Sequence, residues 1–194
     1  MFNLRSLIFL FTFFFHTAII SEKNGGRRFM IKKTLMALAM AIIFSCSQAM
    51  AAGVVQVYDG DEKTFVAEFN AVASELQMFT FETTPSKLKN QNTTSELYIA
   101  RAVPADLKTA VVFVKDNTAS VAKLIISSEK AENTLKVRNV ALALIGVNDE
   151  EFKALKTNQY VWCEAAKRYI NIELEKTDDA YNLVIGAFSE KPSK

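Results

Sequence analysis

Histidine and cysteine are nearly absent from this 194-residue sequence, which has one histidine, His16, and two cysteines, Cys46 and Cys163. Residues 52–194 contain no histidine and only Cys163. Ser-His-Asp and Cys-His catalysis both need an imidazole, and zinc sites need several histidine or cysteine ligands. These chemistries are excluded for residues 52–194, where we expect no catalytic residue, no metal and no cofactor.

A lone cysteine also excludes an internal disulfide in residues 52–194. Cys163 follows Val161 and Trp162, and this apolar setting predicts a small buried hydrophobic side chain. An intermolecular disulfide is the alternative. A segment of this size buries about two-thirds of the surface of its unfolded chain, so it can fold without cross-links.

Residues 30–51 have the pattern of a secretory signal peptide. Lys32-Lys33 gives a cationic start, and the uncharged stretch Leu35–Phe44 is too short for a permanent membrane span. Small residues then occupy the −3 and −1 positions of a peptidase site. The predicted signal-peptidase site consists of Ala49, Ala51 and Ala52. The mature chain would begin at Ala52, in the periplasm or outside the cell.

Cys46 offers a second interpretation of the same stretch. Ile43-Phe44-Ser45-Cys46 resembles a lipoprotein box, in which Cys46 would carry a lipid anchor. Phe44 is bulky for that pattern and the alanine site follows at once, so the free mature form is favoured.

Residues 1–29 are interpreted as a mis-annotated or non-structural N-terminal extension. Leu7–Ile20 is rich in phenylalanine, as translated T-rich non-coding DNA would be, and Gly25-Gly26 matches a translated ribosome-binding sequence. We therefore expect translation to start at Met30 rather than Met1. The domain organisation is then 1–29 extension, 30–51 signal peptide and 52–194 a single α+β domain.

Removing the first 51 residues changes the sign of the net charge. They hold six basic residues and one acidic residue, so the whole chain at +2 becomes −3 over residues 52–194. A mildly acidic surface of mixed charge argues against nucleic acid and against an anionic membrane as the main partner.

Two helices and a short third one are predicted from apolar periodicity. Asp61 is a good N-cap for a helix over Glu62–Gln77, whose phenylalanines at 65 and 69 begin an apolar stripe. Asn133 or Thr134 is predicted to cap a helix over Leu135–Ile145. Gly146 suits the position after that helix, and a short helix begins at Asn148.

Strands are predicted where β-branched residues are enriched. The main segments are Glu96–Ala102, Thr109–Lys115, Ser120–Ser127, Tyr169–Glu175 and Tyr181–Phe188, with shorter candidates at Val54–Tyr58 and Met78–Thr83. In the last hairpin Ile170, Ile172 and Leu174 alternate with Asn171, Glu173 and Glu175, and Leu183 and Ile185 alternate with Asn182 in the returning strand. This pattern predicts that the polar side of the hairpin faces solvent. The expected fold is α+β, with a curved antiparallel sheet of about five strands and two main helices plus a short one packed on one face.

Two groups of side chains are candidate sites. Tyr160, Trp162 and Arg168 could form an aromatic and cationic binding spot, although the simpler interpretation has Trp162 closing the core and Arg168 in solvent. Carboxylates close together in sequence could serve a hydrolase that needs only two of them. They are Glu164, Glu173, Asp178 and Asp179.

The hypothesis that these features favour is an exported, non-catalytic domain that binds a partner protein or a small ligand through the sheet face or a helix groove. The alternatives are an envelope-assembly subunit that acts as an oligomer through sheet-edge pairing, and a carboxylate-based hydrolase.

Overall fold

The structure is a computed structural model and describes residues 53–89, 95–116, 119–157, 159–177 and 179–192. All described residues belong to one compact unit of the chain. The predicted start at Met30, the peptidase site at Ala49, Ala51 and Ala52, and the lipid site at Cys46 lie outside the described residues, so they stay predictions.

The described residues contain three α-helices, one short 3₁₀ turn and nine strands. The helices are α1 (Glu62–Glu75), α2 (Ala131–Ile145) and α3 (Asp149–Ala154), and the 3₁₀ turn is Ala105–Leu107. The strands are β1 (Val54–Val55), β2 (Thr80–Phe81), β3 (Ser86–Leu88), β4 (Glu96–Val103), β5 (Thr109–Lys115), β6 (Lys123–Ser128), β7 (Tyr160–Cys163), β8 (Arg168–Lys176) and β9 (Tyr181–Phe188).

Helix α1 forms as its sequence pattern predicts. The Asp61 side chain accepts a hydrogen bond from the backbone N–H of Thr64 at 2.8 Å, so one of the free donors at the helix start is paired. Phe65 and Phe69 are fully buried one turn apart. Burying each phenylalanine contributes about 1.5–3 kcal/mol, which fixes the face that α1 turns to the sheet.

Helix α2 begins earlier than the sequence predicts, and its predicted caps are wrong. The helix starts at Ala131, so Asn133 and Thr134 lie inside its first turn and are buried. Asn133 donates from Nδ2 to Thr109 Oγ1 at 3.2 Å, which ties the turn to β5. The Ser128 hydroxyl instead accepts the Lys130 backbone N–H at 3.1 Å, so a strand residue provides a partner that sequence spacing along the helix does not reveal.

The end of α2 and the start of α3 match the prediction. Gly146 ends α2 with φ of 97°, a left-handed conformation that favours glycine. Asn148 caps α3, with its side chain accepting the Glu151 backbone N–H while the Glu151 carboxylate accepts the Asn148 N–H. This reciprocal pairing is a capping box.

All nine strands pair antiparallel in one sheet that is not closed, and the predicted fold class is confirmed. The strand order is β2-β4-β5-β6-β9-β8-β7, with β1 beside β9 and β3 beside β4. The five long strands β4, β5, β6, β8 and β9 are the five that the sequence predicts. The additional strands have two to four residues each.

The core lies between the helices and one face of the sheet, here called the first face. Phe65, Phe69 and Val137 from the helices pack with Phe113, Leu124 and Ile185 from the strands. Because side chains alternate along a strand, the residues between these strand positions point to the opposite side, here called the second face.

Candidate functional site

The second face is ordered by the register of its five long strands. Residues directly opposite one another on neighbouring strands form rows that run from β8 to β4. The central row is Glu173, Val184, Ile125, Val112 and Ile99. One flanking row is Asn171, Gly186, Lys123, Val114 and Leu97, and the other is Glu175, Asn182, Ser127, Ala110 and Arg101.

An apolar cluster occupies the β4, β5 and β6 part of the second face. Its buried members are Leu97, Ile99, Val112, Val114 and Ile125, with Leu88, Ala110 and Val184 packed against them. Val112 and Ile125 are 0% exposed. Every described member of this cluster is a strand residue. The buried apolar side chains of α1 and α2 pack against the first face instead.

Two buried asparagines lie on the second face, and here the predicted solvation of the last hairpin is wrong. Asn182 is 0% exposed and Asn171 is 4% exposed, although both were expected to face solvent. Neither amide atom of Asn182, nor Oδ1 of Asn171, has a hydrogen-bond partner among the described residues. The Asn171 Nδ2 group donates to Glu173 Oε1 at 3.2 Å.

An unpaired buried amide is costly. Leaving a buried donor or acceptor without a partner destabilises a protein by about 1–3 kcal/mol. Proteins retain few such groups, and each one in a fold requires an explanation. The position of Asn182, in a row between Ser127 and Glu175, makes it the most unusual side chain of the face.

Aromatic side chains extend the second face toward the edge strand β7. Trp162 and Tyr169 meet edge to face with ring centroids 5.1 Å apart, and Tyr160 meets Phe188 in the same way at 5.2 Å. Trp162 is 39% exposed, so the expectation that it closes the core is wrong. The alternation of β7 sends Trp162 to the second face, whereas its neighbour Cys163 enters the core.

Arg168 belongs to neither predicted role, because it is neither solvated nor available as a binding cation. Its Nη2 atom donates to both Asp59 carboxylate oxygens, at 2.8 and 2.9 Å. Its Nε atom donates to the Ala166 carbonyl and its Nη1 atom to the Gln56 carbonyl. The guanidinium therefore joins the segment before α1 to the β7–β8 turn. No sequence signal marks Asp59, 109 positions away, as its partner.

The carboxylates of the hydrolase hypothesis do not converge into a described acid–base pair. Glu164 lies in the exposed β7–β8 turn, accepts the Trp162 indole N–H at 2.7 Å and pairs with Lys167. The hydrogen bonds from Lys167 and Trp162 hold the Glu164 pKa below its ordinary value, which is the wrong direction for a general acid. Glu173 lies on β8, Asp179 is exposed in the next turn, and Asp178 lies outside the described residues.

Cys163 is buried as predicted, and it is a free thiol. Its Sγ atom donates to the Gly146 carbonyl at 3.4 Å, and burial is the main cause that raises the pKa of the thiol. The space beside it, lined by Val147, Leu155 and Ile170 among others, has no volume that a water molecule could fill. This position favours the interpretation of Cys163 as a packing residue.

Two further findings concern the described parts of the chain. No three histidine, cysteine or acidic side chains of the described ranges are grouped so that they could hold a metal ion. Within those same ranges, no helix combines the length and the apolar character that crossing a membrane requires.

No protein-family model, no curated protein and no solved structure matches this chain.

Proposed function

We propose that residues 52–194 form an exported, non-catalytic domain that binds a partner protein through the second face of its sheet. The observation that carries the proposal is the pair of buried asparagines within this face. Asn182 presents one donor and one acceptor group that no described residue pairs. Because Asn182 is 0% exposed, a molecule reaches its amide only by displacing what covers the face. Such a molecule can supply both partners, because a peptide group also has one donor and one acceptor.

The shape of the surface favours a protein over a small ligand. Small molecules bind in concave pockets that bury most of their surface, whereas this surface is one side of a sheet. Five strands span about 19 Å and the stretch from residue 182 to 186 about 14 Å, so the three rows cover about 270 Å² in projection. A stable interface buries about 800 Å² on each partner. The partner would therefore also contact the neighbouring aromatic side chains.

Trp162 is the side chain best suited to anchor such a contact. It lies beside Tyr169 on the same side of the sheet and is partly exposed. Tryptophan and tyrosine are enriched among the residues that dominate binding energy. The expected partner thus offers apolar side chains to the Val112 and Ile125 region and at least one polar group to Asn182.

The export part of the proposal rests on the sequence pattern of residues 30–51. A cationic start, an apolar stretch and the alanines at 49 and 51 favour a periplasmic or secreted location. A mature form with an N-terminus at Ala52 is the expected product. Mass spectrometry of the exported protein distinguishes it from a form lipidated at Cys46.

The alternative of an oligomer built by edge pairing is less well supported. The outer side of β8 from residue 172 to 176 has no partner strand among the described residues. An antiparallel pair of two copies centred on Leu174 would set Glu173 opposite Glu175 of the second copy. Like charges directly opposite each other destabilise strand pairs, and charged edge residues are a usual protection against such pairing.

Site-specific cross-linking in the producing cells tests the proposed function. A photo-reactive amino acid is placed at Ala110 or Ser127 on the second face, and at Lys136 or Ala143 on the exposed side of α2 as matched controls. We expect both face positions to give the same adduct of defined mass and the controls to give none. Adducts that form equally from both sides, or from the α2 side alone, would refute this choice of surface.

A further inference from the structure

We propose that the margin of the second face beside β7 binds an arginine side chain of the partner protein. Asn171 and Glu173 accept hydrogen bonds from its guanidinium group, and the neighbouring aromatic rings pack against it. This inference rests on the proposed function, because it specifies the chemistry of the partner on the same surface. It adds a positive charge to the apolar side chains and the polar group that the partner is expected to offer.

Two acceptor groups lie side by side at this margin. Asn171 Nδ2 donates to Glu173 Oε1 at 3.2 Å, so the amide end of Asn171 lies against the Glu173 carboxylate. The amide oxygen, Oδ1, is buried and has no hydrogen-bond partner among the described residues. A positively charged donor would pair this oxygen and the carboxylate together, with hydrogen bonds that are stronger than those between neutral groups.

The acidic side chains of this margin have no cation as a partner in the described part of the chain. Glu173 is partly exposed, and Glu175, on the same side of β8, is exposed. Neither of them forms an ion pair with a described residue. Lys176 alternates to the first face, and Lys123, two strands away in the row of Asn171, does not donate to its Oδ1. The local charge therefore favours a cationic group from a partner.

Four aromatic side chains border the two acceptors. Tyr160 lies directly opposite Asn171 on β7, and Tyr169 precedes Asn171 by two residues on the same side of β8. Phe188 and Trp162 meet these two tyrosine rings edge to face. No described lysine or arginine lies over any of the four rings. Arginine stacks on aromatic faces and has five donors in one plane, so it suits both the rings and the acceptors, whereas a metal ion would use only the oxygens.

This margin is more accessible than the centre of the second face. Glu173 and Tyr160 are partly exposed, and Trp162 is 39% exposed. Gly186 lies opposite Asn171 on β9, and a Cβ atom there would contact only one aromatic ring of the described residues, at 3.5 Å. Because Asn171 itself is 4% exposed, an arginine enters from the Glu173 side and displaces what shields the amide oxygen.

The test measures binding of N-acetyl-arginine amide to the purified full-length chain through the fluorescence of Trp162, the only tryptophan in the sequence. N-acetyl-citrulline amide has nearly the same shape without the charge and is the matched ligand control. The variant is Glu173→Gln, in which glutamine can still accept the Asn171 hydrogen bond. Its matched control is Glu75→Gln, at an exposed carboxylate of α1.

We expect the arginine ligand to change the fluorescence saturably, with a Kd in the millimolar range that is usual for so small a ligand. The citrulline ligand should cause no change, because it lacks the charge that the carboxylate attracts. Glu173→Gln should bind the arginine ligand at least tenfold more weakly, and Glu75→Gln should bind it as the native chain does.

Each other outcome overturns the inference. Equal binding of the citrulline ligand means that the charge is not recognised, and an unchanged affinity in Glu173→Gln places the ligand elsewhere. Equally tight binding of N-acetyl-lysine amide contradicts the choice of arginine. No fluorescence change with the arginine ligand up to about 50 mM means that this margin is not an arginine site, and a change with calcium chloride alone identifies a metal site instead. None of these measurements uses a partner, so the proposed function is judged separately by the cross-linking experiment in cells.

Discussion

Replacing Asn182 by leucine is expected to stabilise the protein, which few substitutions of a buried residue do. The amide of Asn182 is fully buried and has no partner among the described residues. Leucine has a similar size and no polar group. Removing the unpaired amide should raise the free energy of unfolding by about 1–3 kcal/mol. For a chain of this length that corresponds to an increase in Tm of about 2–12 °C.

The measurement is thermal and urea unfolding of the full-length chain, with Asn133→Leu as the matched control. Asn133 is also a buried asparagine, but its Nδ2 group donates to Thr109 Oγ1. We expect the control to lose about 1–2 kcal/mol, because the substitution removes a formed hydrogen bond. The two variants should therefore change the stability with opposite signs.

A loss of stability in Asn182→Leu comparable to that in Asn133→Leu would refute this reasoning. It would mean that Asn182 is paired in the folded protein, and the argument that its amide is kept for a partner would fail. A gain in stability would instead place Asn182 among residues that proteins retain for function at some cost in stability.

Three further predictions concern the rest of the fold. Arg168→Lys should lower the free energy of unfolding, measured by urea denaturation, by about 1–3 kcal/mol, because one ammonium group cannot reach the two carbonyls and the carboxylate that Arg168 binds. The control Lys167→Gln removes an exposed ion pair and should change the free energy of unfolding by less than about 0.5 kcal/mol. Equal stability of Arg168→Lys and the native chain would contradict the hydrogen bonds assigned to Arg168. Burial lowers the pKa of Lys115, but the hydrogen bond and charge of Glu62 raise it more, so the folded-state pKa lies above the ordinary value. The stabilisation by the Lys115–Glu62 ion pair is therefore complete below pH 10.5 and is lost as the pH rises through the raised folded-state pKa. Lys115→Met should flatten the fall in the free energy of unfolding at alkaline pH, and an unchanged slope would contradict a stabilising Lys115–Glu62 pair. Cys163, in a background without the other cysteine, should react with a thiol reagent at least a hundredfold more slowly in the folded than in the unfolded protein, and rapid labelling of the folded form would show that the thiol is accessible.

Local sequence chemistry was sufficient to predict several elements of the fold. Asp61 and the phenylalanines of α1 specify both the start and the buried side of that helix, and Gly146 marks the end of α2. The alternation of Ile170, Ile172 and Leu174 predicts the strand β8. In each case the signal lies within a few residues of the structure that it produces, so no knowledge of distant partners is needed.

The start of α2 and the environment of Arg168 could not be predicted in this way. Ser128, a residue of β6, provides the hydrogen bond that supports the first turn of α2, and Asp59, which binds Arg168, is 109 positions away in the sequence. Both contacts depend on tertiary packing. A propensity scale places a cap at the nearest suitable residue, which here gave Asn133 or Thr134.

The candidate site was missed because sequence alternation shows two sides of a strand but does not show which side is covered. Asn171, Asn182 and Glu173 alternate with apolar residues, and alternation of that kind is typical of a strand with one side in water. Only the burial of Val112 and Ile125 on the same side reveals that this face is shielded as well.

The most direct test of the central claim combines the cross-linking assay with the change at Asn182. A photo-reactive residue at Ala110 reports contact with the partner in the producing cells, and its yield is compared among the native chain, Asn182→Leu and the surface control Asn139→Leu. If a partner pairs the buried amide, Asn182→Leu should reduce the yield several-fold although the protein is more stable, and Asn139→Leu should leave it unchanged. An undiminished yield in Asn182→Leu would contradict the claim that the second face recognises its partner through this side chain.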